Sequence, residues 1–176
     1  MSHRKVIAEY IWLGGNGELR SKTKVLHDFT LRSAEAKYFP MWNYDGSSTA
    51  QAEGLNSELK LKPVAVYYNP FSDNCALSSS FLVLCETLDK NNNPLATNTR
   101  ASAAELFETH KAKTEKPWFG IEQEYFIKGG KFNAFNGITQ GQYYCSVGSQ
   151  NAYYREVAEE HMDLCLRAGL KVSGIN

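Results

Sequence analysis

A short apolar stretch followed at once by glycine-rich residues constrains how this chain begins to fold. Residues 6–13 are mostly β-branched, aromatic or aliphatic, and Gly14-Gly15-Asn16-Gly17 follows them directly. Glycine readily adopts the positive φ angles that hairpin loops need. Residues 19–25 place apolar and polar side chains in a pattern that suits a half-exposed return strand. The sequence therefore predicts a β-hairpin at the start of the chain.

Strand and turn signals dominate the next part of the chain, and helical signals appear after residue 98. In chain order we predict a loop-rich stretch around residues 42–49, strands over 64–68 and 81–88, a turn over 89–94, a helix over 99–113, a strand over 118–128, a Gly129-Gly130 hairpin turn, a long loop over 131–150, a helix over 151–168 and a strand over 170–175. This order indicates an α+β fold with a boundary near residues 90–98.

The strongest helix signal covers residues 151–168. Apolar side chains and one histidine recur there on one face at helical spacing: Tyr154, Val157, Ala158, His161, Met162, Cys165 and Ala168. Gly169 follows as a C-cap, and we expect His161 to be a core histidine. The earlier helix contains the capping-box pattern Ser102-x-x-Glu105, although Asn98 or Thr99 equally suits its N-cap.

The charge balance and the cysteine spacing argue against several classes of function. Nineteen Lys and Arg residues balance nineteen Asp and Glu residues, so no overall field attracts the chain to nucleic acid or to an anionic membrane. The apolar runs are too short for a transmembrane helix. The four cysteines show no metal-binding spacing. Reduced thiols in a cytoplasmic protein are the expectation.

Two glutamates are the most distinctive candidate ligands in the sequence. Glu122 and Glu124 fall within the strand predicted over 118–128, where alternation would place both on one face about 7 Å apart at Cα. Paired carboxylates repel unless a positive charge lies beside them. Because hard divalent cations take oxygen ligands, Mg²⁺ or Mn²⁺ is the natural candidate. A strand whose polar face meets water explains the same pattern.

A second candidate is the carboxylate of Asp45. It lies in Trp42-Asn43-Tyr44-Asp45-Gly46-Ser47-Ser48-Thr49, where Asp-Gly is a strong turn signal and the serine hydroxyls can donate hydrogen bonds within a tight loop. A surface turn anchored by Trp42 explains this pattern. A carboxylate that binds a cation such as ammonium explains it as well.

Taken together, these strings resemble glutamine synthetase of the eukaryotic type over nearly the whole chain, from about residue 8 to residue 176. The segments that carry the resemblance are Ala8-Glu9-Tyr10-Ile11-Trp12, Leu19-Arg20-Ser21-Lys22-Thr23, the string from Trp42 to Thr49, Leu82-Val83-Leu84-Cys85-Glu86, Trp118-Phe119-Gly120-Ile121-Glu122-Gln123-Glu124-Tyr125 and Gln142-Tyr143-Tyr144-Cys145. The strings around Asp45 and Glu122, in this order, are highly specific.

The resemblance implies a glutamate–ammonia ligase that joins ammonia to L-glutamate, with ATP hydrolysis, through γ-glutamyl phosphate. It implies a β-grasp domain over residues 4–92, followed by the first part of the catalytic α/β domain over residues 99–176. It also implies a homo-oligomer of two stacked rings, decamer-like, whose active sites lie between neighbouring subunits.

The resemblance also implies roles for the three carboxylates. Glu122 resembles the ligand of the metal on the ATP-phosphate side, and it borders the nucleotide. Glu124 resembles a ligand of the second metal. Asp45 resembles the loop carboxylate that a neighbouring subunit uses to bind ammonium and to draw off its proton.

We expect the chain to stop before the other metal and substrate ligands of such an enzyme. On this expectation the chain alone is inactive, because two carboxylates cannot complete two metal sites that each need about six oxygens. The alternative is a non-catalytic β-grasp module that associates with full-length synthetase subunits.

Overall fold

The computed structural model of the chain describes residues 5–27, 33–72, 78–125, 144–148, 152 and 154–176. The chain divides into two compact units, Met1–Pro117 and Trp118–Asn176. Over the described residues the elements are five β-strands, two 3₁₀ turns and three α-helices. The mixture confirms the α+β class. The boundary expected near residues 90–98 stays a prediction.

The first unit contains one mixed five-stranded sheet. Its strands are β1 (Lys5–Leu13), β2 (Leu19–Leu26), β3 (Trp42–Asp45), β4 (Glu58–Tyr68) and β5 (Ser78–Leu88). They lie in the order β2-β1-β5-β4-β3, with β1 and β5 parallel and the other neighbours antiparallel. β1 pairs with β2 along its length, from Val6 opposite Leu26 to Leu13 opposite Leu19, so the predicted N-terminal hairpin is confirmed.

The core lies on one face of this sheet, where alternate residues of β1 are buried. Val6, Ala8, Tyr10 and Trp12 are at most 6% exposed, as the period of two in a strand requires. The rings of Tyr10 and Trp42 lie 5.4 Å apart, and those of Trp12 and Tyr44 lie 5.0 Å apart. Because β1 and β3 are not neighbours in the strand order, these contacts show that the sheet curls until β3 faces β1.

Two strand predictions need correction. Residues 42–45, expected in a loop, form β3, because Tyr44 is buried against Trp12 while Asn43 and Asp45 stay exposed. β4 begins at Glu58, six residues before the predicted start, and it contains Pro63. Proline lacks a ladder donor, and the pairing with β5 shifts register between Pro63 and Ala65, which accommodates it.

The helix predicted over 99–113 is two helices, α1 (Thr99–Glu108) and α2 (His110–Glu115). Thr109 separates them with an extended backbone, and its hydroxyl donates to the Leu106 carbonyl and accepts from the Ala112 N–H. Asn98 is the N-cap of α1, because its side chain accepts from the Ala101 N–H. The capping-box alternative at Ser102 is therefore wrong.

The second unit contains α3 (Arg155–Ala168), which ends at Gly169 with a φ of 90°. This confirms the helix and its C-cap, but the helix begins four residues later than predicted, and His161 is exposed rather than in a core. Residues 118–125 and 170–175 form no strand, because a strand needs a hydrogen-bonded neighbour and neither segment has one among the described residues. Within the described residues, no helix is both long and apolar enough to cross a membrane. Residues 126–143, which include the predicted Gly129-Gly130 turn, lie outside the described residues.

Candidate functional site

The Asp45 carboxylate lies at the end of β3, where the chain enters the 3₁₀ turn Gly46–Thr49. Its Oδ1 accepts from the Ser47 N–H at 3.0 Å and from the Ser47 hydroxyl at 2.7 Å. Its Oδ2 accepts from the Ser48 hydroxyl at 3.0 Å. Both oxygens are held by the residues that follow, while the side chain faces solvent.

These hydrogen bonds make Asp45 an unusually weak base. Donors that favour the charged form lower a carboxyl pKa. Hydrogen bonds from Ser47, and further ones from Ser57 and Ser48, lower the pKa of Asp45 to about 2. The loop therefore presents a carboxylate that is ionised at neutral pH.

Backbone contacts fix the position of the turn on the sheet. The Gly46 N–H donates to the Ser57 carbonyl at 2.7 Å, and the Gly15 N–H donates to the Thr49 carbonyl at 2.7 Å. A Cβ on Gly15 would lie 2.2 Å from the Ala50 carbonyl oxygen. The close approach of the β1–β2 turn to the Asp45 turn therefore requires glycine at position 15.

Gln51 links the Asp45 turn to two other parts of the first unit. Its Oε1 accepts from the Tyr44 and Thr49 hydroxyls, both at 2.9 Å. Its Nε2 donates to the Leu13 carbonyl at 3.1 Å and to the Thr97 hydroxyl at 3.0 Å. All four hydrogen-bonding positions of the amide are in use. Gln51 thus connects these parts of the first unit. The sequence did not predict this role, because a single glutamine forms no recognisable motif.

An open groove of about 470 Å³ lies beside Asp45. Its lining residues come from β1, β2, β3 and the following turn: Trp12, Leu19, Arg20, Ser21, Lys22, Tyr44, Asp45, Ser48 and Thr49. Its two cationic side chains are already engaged. Arg20 Nε lies 2.6 Å from Glu18 Oε1, and Lys22 Nζ donates to the Asn43 carbonyl at 2.9 Å. Asp45 carries the carboxylate among these lining residues, and its side chain is exposed.

Glu122 and Glu124 are both exposed, and they lie in a segment without regular secondary structure. The strand over 118–125 does not form, so alternation no longer gives a reason to place the two side chains on one face. Their carboxylate oxygens suit Mg²⁺ or Mn²⁺ in type. In the described part of the chain no three His, Cys, Asp or Glu side chains lie close enough together to hold a metal ion. Their assignment as metal ligands stays a prediction.

Glu86 is a buried carboxylate that sequence reasoning also missed. Its side chain is 5% exposed, and Lys62 Nζ and Arg100 Nη1 lie 2.7 and 3.2 Å from its oxygens. Burial raises the pKa of Glu86, but the hydrogen bonds and positive charges of Lys62 and Arg100 outweigh burial and leave the pKa lowered. Lys62 lies on β4, Glu86 on β5 and Arg100 on α1, so this cluster ties α1 to the sheet.

Comparison with known proteins finds relatives over nearly the whole chain. A protein of Acanthamoeba polyphaga mimivirus named "Putative glutamine synthetase" is 51% identical over 174 residues, covering 97% of this chain and 48% of the relative. Glutamine synthetase of Emericella nidulans is 46% identical over 97% of this chain and 47% of its own length. The chloroplastic glutamine synthetase of Brassica napus is 42% identical over 98% of this chain and 40% of its own length. The chain thus spans about half the length of these relatives. No protein-family model matches it.

Proposed function

We propose that this chain, which is homologous to the N-terminal portion of glutamine synthetases, forms part of a glutamate–ammonia ligase. The homologous enzymes include plant and fungal forms. The reaction joins ammonia to L-glutamate, with conversion of ATP to ADP and phosphate, through γ-glutamyl phosphate. The observation that carries this proposal is the Asp45 turn, which holds a carboxylate in its ionised form at the end of β3.

Asp45 has the properties of a site for the ammonium substrate. The carboxylate is exposed, its charge is stabilised by hydrogen bonds from Ser47, Ser48 and Ser57, and it lies beside a groove. A fixed negative charge attracts a small cation. Within the proposal, the groove side of the first unit faces the catalytic part of a neighbouring subunit in a ring-shaped homo-oligomer.

Glu122 and Glu124 belong to the proposal as metal ligands. Bound Mg²⁺ or Mn²⁺ would neutralise the charges that collect when a phosphoryl group is transferred to a carboxylate. Glu122 would serve the metal on the ATP side, and Glu124 the second metal. Both side chains are exposed and both are oxygen donors. The further ligands would come from outside the described residues.

The domain assignment belongs to the same proposal. Residues 4–92 would be a β-grasp domain, which the curled mixed sheet with a parallel central pair supports. Residues 99–176 would be the first part of the catalytic domain. The exposed apolar side chains of Trp118, Phe119 and Ile121, at 72–96% exposure, suit a segment that a larger domain covers. We also place the protein in the cytoplasm, which the free thiols of Cys85, Cys145 and Cys165 support.

A chimera tests the function. Residues 1–176 would replace the matching N-terminal portion of the Emericella nidulans relative, and formation of glutamine from glutamate, ammonium and ATP would be measured. We expect turnover within about tenfold of the parent enzyme. A chimera that assembles like the parent but shows no turnover would refute the proposal.

The alternative function is a non-catalytic module that associates with full-length synthetase subunits. It is tested with the 176-residue chain itself. Co-purification with full-length subunits, and elution as part of a ring-sized assembly, would favour the module. In γ-glutamyl transfer with Mn²⁺ we expect the chain alone to show no turnover. Activity above background would show that it needs no further ligands.

A further inference from the structure

We infer that Asn16 is a site of spontaneous deamidation, at which the Gly17 backbone nitrogen displaces the side-chain amide. We further infer that the isoaspartyl product separates the β1–β2 turn from the turn that follows β3. The inference is independent of the proposed function, because it concerns a covalent change in the folded chain rather than the ligase reaction.

The environment of Asn16 leaves its side chain free to react. Asn16 is exposed, and its side-chain amide forms no hydrogen bond with the described residues. Several other asparagine side chains are hydrogen-bonded: Asn43, Asn69, Asn92, Asn93 and Asn98. A side chain without a partner can rotate among its rotamers until its carbonyl carbon meets the following backbone nitrogen.

The residue that supplies the attacking nitrogen is also unhindered. Gly17 has no side chain, its φ is 79°, and a Cβ placed on it would meet no atom within 4 Å. Its N–H donates to the Gly14 carbonyl at 3.1 Å in an exposed turn. Exposed turns of this kind open locally at low cost in free energy. A local opening therefore brings the Gly17 nitrogen within reach of the Asn16 side chain.

Two other described asparagines meet one of these conditions but not the other. The side chains of Asn56 and Asn91 also form no hydrogen bond with the described residues. They are followed by Ser57 and Asn92, whose side chains crowd the attacking nitrogen. Asn16 combines a free amide with a following glycine, and this combination selects it within the described part of the chain.

The reaction needs water and no oxidant or reductant. The Gly17 nitrogen forms a bond to Asn16 Cγ and loses its proton, while the bond from Cγ to Nδ2 breaks and ammonia leaves. The product is a succinimide ring. Water then opens the ring at Cγ to give aspartate, or at the main-chain carbonyl carbon to give isoaspartate. In isoaspartate the main chain runs through Cβ and Cγ.

Isoaspartate lengthens the main chain inside a tightly closed turn. The extra methylene group lies between residue 16 and Gly17. The Gly17 N–H donates to the Gly14 carbonyl at 3.1 Å, and the Gly14 N–H donates to the Glu18 carbonyl at 2.8 Å. Both hydrogen bonds span the lengthened segment, so the turn has to change its shape.

The change of shape reaches the neighbouring turn through Gly15. The Gly15 N–H donates to the Thr49 carbonyl at 2.7 Å, and a Cβ on Gly15 would lie 2.2 Å from the Ala50 carbonyl oxygen. Two backbones this close leave little room for displacement. We therefore expect isoaspartate at position 16 to break the hydrogen bond between Gly15 and Thr49.

The first experiment measures the modification in the full 176-residue chain, incubated at pH 8 and 37 °C. Trypsin releases residues 6–20 as one peptide, and mass spectrometry would follow conversion of the Asn16 amide to the acid. An isoaspartyl methyltransferase with labelled S-adenosylmethionine would detect the isoaspartyl form in that peptide. Gly17→Ala should slow the conversion by about tenfold or more, because the new side chain hinders the attack.

The matched control lies in the same digest. The peptide of residues 38–60 contains Asn43 and Asn56 and should keep both amides while Asn16 converts. The pair Asn136-Gly137, outside the described residues, falls in a separate peptide and does not affect the measurement. Conversion of Asn16 no faster than that of Asn56, or an unchanged rate in Gly17→Ala, would overturn the inference.

The second experiment separates the longer main chain from the added charge. Amide hydrogen exchange at Gly15 would be measured by NMR in the isoaspartyl fraction and in Asn16→Asp, which carries the same charge on an ordinary backbone. We expect exchange to be faster by about tenfold or more in the isoaspartyl chain and within about twofold of the original in Asn16→Asp. Unchanged exchange in the isoaspartyl chain, or an equal increase in both, would overturn the inferred separation of the two turns.

Discussion

The Lys22 ammonium group donates a hydrogen bond to the Asn43 carbonyl at 2.9 Å and so connects the two edge strands of the sheet. Lys22 lies on β2 and Asn43 on β3, at opposite ends of the strand order. The same ammonium group lies 3.6 Å from the centre of the Trp42 ring. Burial, together with the charge of Lys24, lowers the pKa of Lys22. Lys22 therefore closes the curled sheet next to the Asp45 turn.

Replacing Lys22 should open this closure. Lys22→Met keeps the aliphatic stem but removes the hydrogen bond to Asn43 and the cation–π contact, so we expect a loss of about 1–2 kcal/mol in the free energy of unfolding. Urea denaturation would measure it. Lys24→Met is the matched control, since its ammonium lies 5.1 Å from the same ring, and we expect a clearly smaller loss. Equal losses would contradict the role given to Lys22.

Gly15 should not tolerate a side chain. In Gly15→Ala the new Cβ would meet the Ala50 carbonyl oxygen at 2.2 Å, so the two turns must separate. We expect a loss of about 2–3 kcal/mol and chemical-shift changes at Ser47 and Thr49. Gly17→Ala is the control: it meets no atom within 4 Å but has a φ of 79°, so it should cost only about 1 kcal/mol. A milder effect at Gly15 than at Gly17 would show that the close approach does not form.

Two variants of Gln51 should separate the stability contributed by the hydrogen bonds it donates from that contributed by the hydrogen bonds it accepts. Gln51→Ala removes all four hydrogen bonds and leaves the hydroxyl of the buried Tyr44 without this acceptor. We expect a loss of about 2–3 kcal/mol. Gln51→Glu keeps the acceptors for Tyr44 and Thr49 but loses the donors to Leu13 and Thr97, so an intermediate loss is expected in thermal or urea unfolding. A glutamate variant as stable as the original chain would show that those two bonds contribute nothing.

Glu86 should make stability depend on pH in a defined direction. The folded-state pKa lies below the ordinary value of 4.5, so the carboxylate stabilises the fold fully above about pH 4.5. This contribution is lost as the pH falls through the folded-state pKa. Glu86→Gln should therefore be less stable at pH 7 by about 1–3 kcal/mol, because its two cations are half exposed and can be solvated.

The difference in the free energy of unfolding between Glu86→Gln and the original chain should shrink from pH 7 towards pH 3. Urea unfolding at both pH values would measure it. Lys62→Met and Arg100→Met each leave one cation beside Glu86, so each should lose less than the glutamine variant at pH 7. A pH-independent difference would mean that the Glu86 charge does not support the fold.

Local sequence patterns predicted the elements that depend on interactions between residues close together in the chain. The β1–β2 hairpin follows from a strand-length run and a glycine turn, and α3 with Gly169 follows from helical periodicity and a C-cap. β3 was missed because it is only four residues long, and its stability comes from ring contacts with β1 that no local pattern contains. The break at Thr109 was missed because one hydroxyl can cap both helices.

In the candidate site, too, features with local partners were predicted and features with distant partners were not. The Asp-Gly-Ser-Ser string predicted a turn with serine donors, and the structure confirms that Ser47 and Ser48 donate to Asp45. The local pattern around Glu122 and Glu124 could not establish a strand, because a strand also needs a hydrogen-bonded neighbouring strand. No such neighbour exists among the described residues. Gln51 and Glu86 have partners far away in sequence, which local reasoning cannot supply.

The most direct measurement is kcat/KM for ammonium in the chimera with and without Asp45→Asn, at saturating ATP and glutamate. If the turn supplies the ammonium site, the substitution should lower this ratio by roughly a hundredfold and leave KM for ATP and glutamate unchanged, because a charged ligand is lost. Glu58→Gln, a nearby exposed carboxylate on β4, should have little effect. Ammonium kinetics that are the same with aspartate and asparagine at position 45 would contradict the assignment of this site.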